Sequence, residues 1–327
     1  MLELLKGVFM AEKIKISIAL AAYHGSRYIA EQLQSLLQQT RVPDEIIICD
    51  DSSDDSTYEA VKPFLSDQRI GYHKNTSPLG VAGNFEKALS LTHGEIIFLC
   101  DQDDVWLPEK VDTLYQTLQN DPAADAVFCN STLVNETLQP LGKTLWDLRN
   151  FTGNMQKQLN SGHALEVFLK RVTCSSHNIA FKRHCLEYIL PFPELKPFFP
   201  DTFIALSIAA NGKWHAVDQA LTLYRIHSSN ESSPSGSGLS AARRSRADRA
   251  ALRSALLAGE ITRRSGDKLP CNIVYQLKKY AIFQKRRDSY SRNLLLRTLQ
   301  VLREACKLNY SRYSNNFKTF FADILLN

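Results

Sequence analysis

Apolar residues in this chain gather in short continuous runs separated by amphipathic stretches. The first run, KIKISIALAAY at 13–23, is bounded by His24-Gly25-Ser26 and reads as a buried strand. Residues 27–39 then place Ile29, Leu33, Leu36 and Leu37 at helical spacing, and the pattern stops before Val42-Pro43. DEIIICDD (44–51) is a second buried run, and Ser56 or Asp55 can cap a helix carrying Ala60, Val61 and Phe64. Residues 69–73 predict a short third strand, and 82–92 a helix closed by Gly94. EIIFLCD (95–101) predicts a fourth strand, with a helix opening at Pro108. Continuous apolar strands alternating with amphipathic helices predict a mostly parallel sheet covered on both faces.

The second half is less regular. DAVFCNSTLV (125–134) reads as a strand, whereas 135–175 has glycines at 142, 153 and 162 and no clear period. Residues 175–189 pass from strand to helix, and PFPELKPFFPD (191–201) is a Pro-rich connection. A helix around 202–211 precedes two strand patterns, 214–217 and 220–227. SSNESSPSGSGLS (228–240) has the composition of a linker. Helical patterns come next, near 241–259 and 270–306. The expected organisation is a leader or mis-assigned start at 1–12, an α/β domain at 13–230, a linker at 231–240 and a helical tail at 241–327. Within the α/β domain, a regular first half ends near 130 and a less regular second half covers about 131–230. The opening MLELLKGVF carries little positive charge and no small-residue cleavage site, and Met10 is an alternative start. No apolar run reaches the length of a transmembrane helix.

Charge changes this picture more than composition does. Apolar and charged contents of 44% and 22% are ordinary for a globular protein. Residues 1–230, however, carry 20 Lys/Arg against 27 Asp/Glu, while 231–327 carry 19 against 7. An acidic front is joined to a strongly basic tail. The seven cysteines are scattered without a CxxC pair, which points to reduced thiols in the cytoplasm, not to a disulfide frame or zinc site.

The acidic residues collect where such a sheet binds ligands, at the carboxyl ends of its strands. Asp101, Asp103 and Asp104 terminate the fourth apolar run. An Asp-x-Asp there suits a hard divalent cation shared with phosphate oxygens, or else a solvated turn in which Asp104 caps the next helix. The cluster Asp50-Asp51-Ser52-Ser53-Asp54-Asp55-Ser56 lacks the Gly and Glu of an EF-hand and suits turns and caps. Asp51 can also accept hydrogen bonds from a base or ribose, with Tyr23 against the ring. No GxGxxG follows the first strand, and the chain contains no GxxxxGK[ST] or GxSxG, so dinucleotide, P-loop and hydrolase chemistry are unsupported. Trp106 and Trp214 read as packing residues.

The succession AAYHGSRYIAEQLQSLLQQT, DEIIICDDSSDDST, NTSPLGVAGNFEKAL and HGEIIFLCDQDDVWLPEKV resembles the family 2 glycosyltransferases, and DQDDVW is similar to their bacterial rhamnosyltransferase-like branch. The resemblance is dense over 14–115 and patchier to about 230. It implies a GT-A fold, a Rossmann-like mostly parallel sheet flanked by helices, and inverting transfer from a nucleotide-diphosphate sugar to a glycan or lipid-linked hydroxyl. It also implies roles. Tyr23 and Asp51 match base-binding positions, and Asn84 a polar position near the nucleotide sugar. Asp101 and Asp103 match the Asp-x-Asp that meets diphosphate and a divalent cation (Mg2+ or Mn2+). Asp201 matches the catalytic base, and His227 of LTLYRIH the residue that returns to the metal and diphosphate. Two departures stand out: Pro200 where relatives place His or Glu, and Cys174-Ser175-Ser176-His177-Asn178 where a glycine-containing stretch is usual.

The basic tail suits a peripheral position on an anionic membrane, which the resemblance puts at the cytoplasmic face. No nucleic-acid motif accompanies the charge, so nucleic acid is not expected. Two other readings stand beside the transferase: a sugar-nucleotide nucleotidyltransferase, and a catalytically degenerate nucleotide-sugar-binding module.

Overall fold

The computed structural model of the chain describes residues 15–194, 200–227, 254–290, 294–314 and 317–325. Its first half alternates strand and helix: β1 (Ile16–Ala22), α1 (Ile29–Leu37), β2 (Glu45–Asp50), α2 (Ser56–Val61), β3 (Ile70–Lys74), α3 (Gly80–Ser90), β4 (Ile96–Asp101), β5 (Val105–Trp106) and α4 (Lys110–Asn120). Then come β6 (Ala124–Val134), β7 (Pro140–Thr144), α5 (Leu145–Arg149), α6 (Gly153–Gln158), α7 (Ala164–Lys170), β8 (Ile179–Lys182), α8 (Leu186–Ile189), α9 (Pro200–Asn211) and β9 (Lys213–Arg225). The C-terminal helices are α10 (254–265), α11 (Cys271–Asp288), α12 (Leu294–Cys306), α13 (Asn309–Tyr313) and α14 (Phe317–Leu325).

Among the described residues the strands form one sheet in the order β3-β2-β1-β4-β8-β6-β9-β5, with β7 paired to β6. β1 to β4 are mutually parallel, β8 inserts antiparallel between β4 and β6, and β9 runs parallel to β6. Successive side chains of a strand point to opposite faces, so each apolar run feeds two cores. Ile16, Ile18 and Leu20 of β1 join Ile46, Ile48 and Phe98 against α1 and α4. Ala19, Ile47, Cys49, Ile97 and Leu99 pack the other way, onto Phe85, Ala88 and Leu89 of α3. α9 is buried from Phe203 to Ala210, which explains its apolar character on all sides. Leu257, Ile261, Leu277, Phe283 and Val301 of the C-terminal helices join the α3-side core.

The expected alternation is present, with boundaries moved by a residue or two. The differences fall where tertiary context decides. The patterns at 214–217 and 220–227 belong to one long strand, β9, whose pairing to β6 shifts register around Cys129 and Asn130. Residues 135–175, unreadable by period, hold a strand and three short helices. The 270–306 pattern is two helices, α11 and α12. The helix placed at Pro108 begins at Lys110 and is preceded by Glu109, so Asp104 does not cap it. Asp54, not Asp55, receives the Ser56 backbone N–H at 3.0 Å before α2. Gly94 lies past the end of α3, where its N–H reaches Ser17 Oγ at 2.6 Å. A Cβ on Gly94 would come within 2.7 Å of the Ser17 backbone nitrogen, so close approach of the two chain segments requires glycine. The 1–12 leader and the 231–240 linker lie outside the described residues.

Candidate active site at the carboxyl ends of the strands

Pairing carries the acidic turn to the end of β9. Val105 and Trp106 of β5 pair antiparallel with Leu223 and Thr222. That register brings Asp101 to Asp104 beside Arg225 and His227. His227 Nε2 lies 2.9 Å from Asp103 Oδ2. The Arg225 backbone N–H donates to Asp104 Oδ1 at 3.0 Å, and its Nε to the Asp103 carbonyl at 2.8 Å. Its guanidinium also donates to Glu31 and to the Glu136 carbonyl, and lies over the Tyr28 ring at 4.5 Å. One buried arginine therefore fixes the backbone of the acidic turn and the start of the segment bearing His227.

The other side of the turn faces the 3₁₀ turn Ser176–Asn178. Ser176 Oγ donates to the Asp101 carboxylate at 2.8 Å. His177 is buried, stacked on Tyr224 at 4.6 Å, with Nε2 2.9 Å from Ser131 Oγ. Its Nδ1 points between Asp101 Oδ2 and Asp104 Oδ2, 3.8 Å from each, too far for a hydrogen bond. Asp104 is fully buried, and among the described residues neither its Oδ2 nor His177 Nδ1 has a hydrogen-bond partner. Asp101, Asp104 and His177 thus present three ligand atoms within 4.8 Å of one another. Below them Lys110, also buried, donates to the His177 carbonyl at 2.6 Å and Thr222 Oγ1 at 2.8 Å, with its Nζ 3.6 Å from the Trp106 ring centroid.

Burial and mutual repulsion set the electrostatics. Desolvation, then the Asp103 charge, pushes Asp101 up to about 7. The same causes, joined by Asp101, raise Asp104 well above the carboxylate range. Desolvation lowers Lys110 to about 8 and holds His177 well below its usual value. Carboxylates that resist ionisation, beside a buried oxygen and nitrogen with no hydrogen-bond partner among the described residues, could hold a cation. The donor set, carboxylate oxygens with imidazole, fits Mg2+ or Mn2+.

Asp201 sits in the first turn of α9, half-buried, accepting from the Thr202 backbone N–H at 2.7 Å. Desolvation raises it, opposed chiefly by Arg149, whose guanidinium is anchored on the Cys174 carbonyl at 2.6 Å and on Ser175. The charge of Asp201 is among those that raise Asp101.

The nucleotide-side residues divide in two. Tyr23, at the end of β1, presents a ring that is more than half exposed, and its backbone is gripped at both N and O by the Gln102 side chain at 2.8 Å. Asp51 and Asn84 are instead buried and internally bonded. Asp51 accepts from Asn75, Leu79 N–H and Gly80 N–H at 2.8–2.9 Å, and Asn84 donates to the Ala22 and Cys49 carbonyls at 3.0 and 2.9 Å. Both tie the ends of β1 and β2 to α3. Trp106 and Trp214 are buried packing residues. The described cysteines are free thiols.

Sequence reasoning did not single out Arg225, Lys110, Ser176 or Arg149 for the site, and met His177 only as part of a departure from the family pattern. Arg225 lay inside LTLYRIH, where its neighbour two positions on could have flagged it. Lys110 had no signal, because a lysine opening an amphipathic helix is ordinarily solvated.

The GT-A architecture with an acidic strand end defines a class, and comparison with known proteins places the chain in it. The family model "Glycosyl transferase family 2" matches residues 17–190, more than half of the chain, and the protein belongs to that family. An uncharacterized glycosyltransferase of Nostoc sp. is 26% identical over 228 residues, 66% of each chain. The Escherichia coli UDP-Glc:alpha-D-GlcNAc-diphosphoundecaprenol beta-1,3-glucosyltransferase WfaP is 40% identical over 96 residues, 29% of this chain and 38% of its own length. The chain therefore spans under two thirds of these relatives. Staphylococcus aureus TarS in complex with UDP superposes with a TM-score of 0.61 at 17% identity, covering 91% of this chain and 87% of that one. The mannosyltransferase PcManGT of Pyrobaculum calidifontis, in complex with GDP-Man and Mn2+, gives 0.56 at 17% identity, covering 97% and 86%. At such identities the likeness is one of fold.

Proposed function

We propose that the protein is an inverting, metal-dependent glycosyltransferase that moves a sugar from a nucleoside-diphosphate donor to a hydroxyl of a lipid-linked or glycan acceptor in bacterial surface-polysaccharide assembly. The observation that carries this reading is the meeting of the acidic turn with the end of β9, through the 2.9 Å contact of Asp103 with His227. Asp103 and His227, with Asp101, would hold Mg2+ or Mn2+ against the donor diphosphate. Asp104 and His177, which with Asp101 bring three ligand atoms within 4.8 Å of one another, would be further candidates to hold the cation. When bound, the cation stabilises charge on the departing nucleoside diphosphate. The exposed Tyr23 ring lies against the base, and Asp51 and Asn84 keep the strand ends in place beneath it.

Asp201 accepts the proton of the acceptor hydroxyl. That oxygen then bonds to the anomeric carbon from the face opposite the diphosphate. The anomeric carbon–oxygen bond breaks, and its electron pair leaves on the nucleoside diphosphate. A raised Asp201 is a stronger base than an exposed aspartate, which suits the task. WfaP, by its name, acts on a diphosphoundecaprenol-linked sugar, which supports a lipid-linked acceptor here. Such an acceptor places the enzyme at the cytoplasmic face of the membrane, touched through 241–327. No helix among the described residues is long and apolar enough to cross it.

The test is a panel of UDP-, GDP- and dTDP-sugars, dTDP-rhamnose included, with Mg2+ or Mn2+. Release of nucleoside diphosphate is the expected result. Pyrophosphate would instead identify a nucleotidyltransferase, and donor binding without product a degenerate binding module.

A further inference from the structure

α12 is built inside out. Its inward face carries Arg297 and Glu304, only 4% and 3% exposed, beside Val301. Arg297 donates to the Ile324 carbonyl at 2.9 Å, and Glu304 accepts from Arg286 at 3.0 Å and from Asn309 at 2.6 Å. The outward face carries Leu295, Leu299 and Leu302, at 71%, 56% and 45% exposure. Their spacing of four and three residues lines them up as one ridge. A helix lying on a water-facing surface shows the reverse pattern, so this ridge is held for a neighbour other than water.

Charge identifies the neighbour. Arg303 and Lys307 are exposed along the flank of the ridge. α11 exposes Lys278, Lys279 and Lys285 around Tyr275 and Ile282, so the neighbouring surface is basic as well. A second copy of the chain seated symmetrically on this surface would set basic flank against basic flank. An anionic bilayer satisfies both features, with leucines entering the acyl boundary and the cationic ends meeting lipid phosphates.

We propose that the leucine ridge of α12, flanked by Arg303 and Lys307, is a docking surface for an anionic phospholipid bilayer. The purpose of the docking rests on the lipid-linked-acceptor reading, since a long-chain acceptor is met only in a membrane.

Cosedimentation of the full chain with vesicles tests the proposal, using phosphatidylcholine alone and equimolar phosphatidylcholine–phosphatidylglycerol. The wild type is expected to partition to the anionic vesicles. The L299E/L302E double variant should lose about tenfold or more of that partition, and R303E/K307E should lose the preference for phosphatidylglycerol. Absence of wild-type binding overturns the proposal, as does equal binding by L299E/L302E. A dimer abolished by L299E/L302E, with no vesicle binding, overturns it in favour of a second copy. Nucleoside diphosphate release in vesicle-free buffer should be unchanged in both variants, which excludes misfolding. Vesicle binding by a wild type that releases no nucleoside diphosphate from any donor would sink the transferase reading and leave the docking surface standing.

Discussion

At the end of β4, charged side chains are inside: Asp104, Lys110 and Arg225 are buried around the acidic turn. On α12 the leucines are outside and an arginine and a glutamate are inside. Both regions depart from the apolar-inside rule, and the departures differ in how they are compensated. The buried charges of the acidic turn are partly paired, and the remainder is unsatisfied at Asp104 Oδ2 and His177 Nδ1. The inward charges of α12 are satisfied by Arg286, Asn309 and the Ile324 carbonyl, and the remainder is apolar surface. The polar deficit fits the cation we propose, and the apolar excess fits the lipid surface we propose.

The contrast can be broken most severely at the acidic turn. Asp103→Ala should lower metal-dependent nucleoside diphosphate release by about 10³-fold or more, with an unchanged circular-dichroism spectrum. Full activity in that variant would remove Asp103 from the metal site. Asp201→Asn should cost about 10²-fold or more in kcat, with donor affinity retained, because the lost proton acceptor acts only in the chemical step.

Arg225→Met probes the clasp under the turn. It leaves the Asp103 carbonyl and Glu31 without their donor, and denaturant unfolding should show a loss of about 3 kcal/mol. The Mn2+ concentration giving half-maximal activity should rise at the same time. A stability loss with unchanged Mn2+ dependence would make Arg225 purely a folding residue.

A pH titration sharpens the electrostatic side of the comparison. Asp101 holds its proton up to about 7 in the folded, metal-free protein but only to about 3.8 when unfolded. Native protein then keeps a proton on Asp101 that unfolded protein loses between those values, so the Asp101 contribution to stability falls as pH rises from about 4 to about 7, while His177, held well below its usual 6.5, contributes with the opposite sign. Thermal unfolding with and without Mn2+ reads this, and Mn2+ should flatten the slope. The smallest effect belongs to the ridge. Leu299→Glu should move the unfolding free energy by no more than about 0.5 kcal/mol, whereas Phe283→Ala, on the buried face of neighbouring α11, should cost about 3 kcal/mol or more.

Much of the nucleotide half was legible because local period and burial agree there. A parallel strand covered on both faces must be apolar at every position, and Ile16–Ala22, Glu45–Asp50 and Ile96–Asp101 can be read almost directly. The acceptor side resisted for the opposite reason. Between β6 and β8 the chain uses short helices whose faces are chosen by contact with α9 and β9, and residues 135–175 carry no period long enough to show it. The site followed the same division. Asp101 and Asp103 were visible as carboxylates closing an apolar run, while His177, Arg225 and Lys110 enter from segments 46 to 194 residues away from their partners.

The sequence by itself determined the family, the parallel strands, the strand ends where acid collects, and the split between an acidic front and a basic tail. These are properties of local order and composition, which folding does not alter. Only the tertiary structure decided that Asp104 is buried and not a cap, that Asp51 and Asn84 fasten strand ends, and that α12 turns its leucines to the outside. Each of those depends on which segment packs against which. Burial, pairing and pKa shift are set by neighbours in space, and residues distant in sequence become neighbours only when β5 pairs with β9 and the C-terminal helices close on the core.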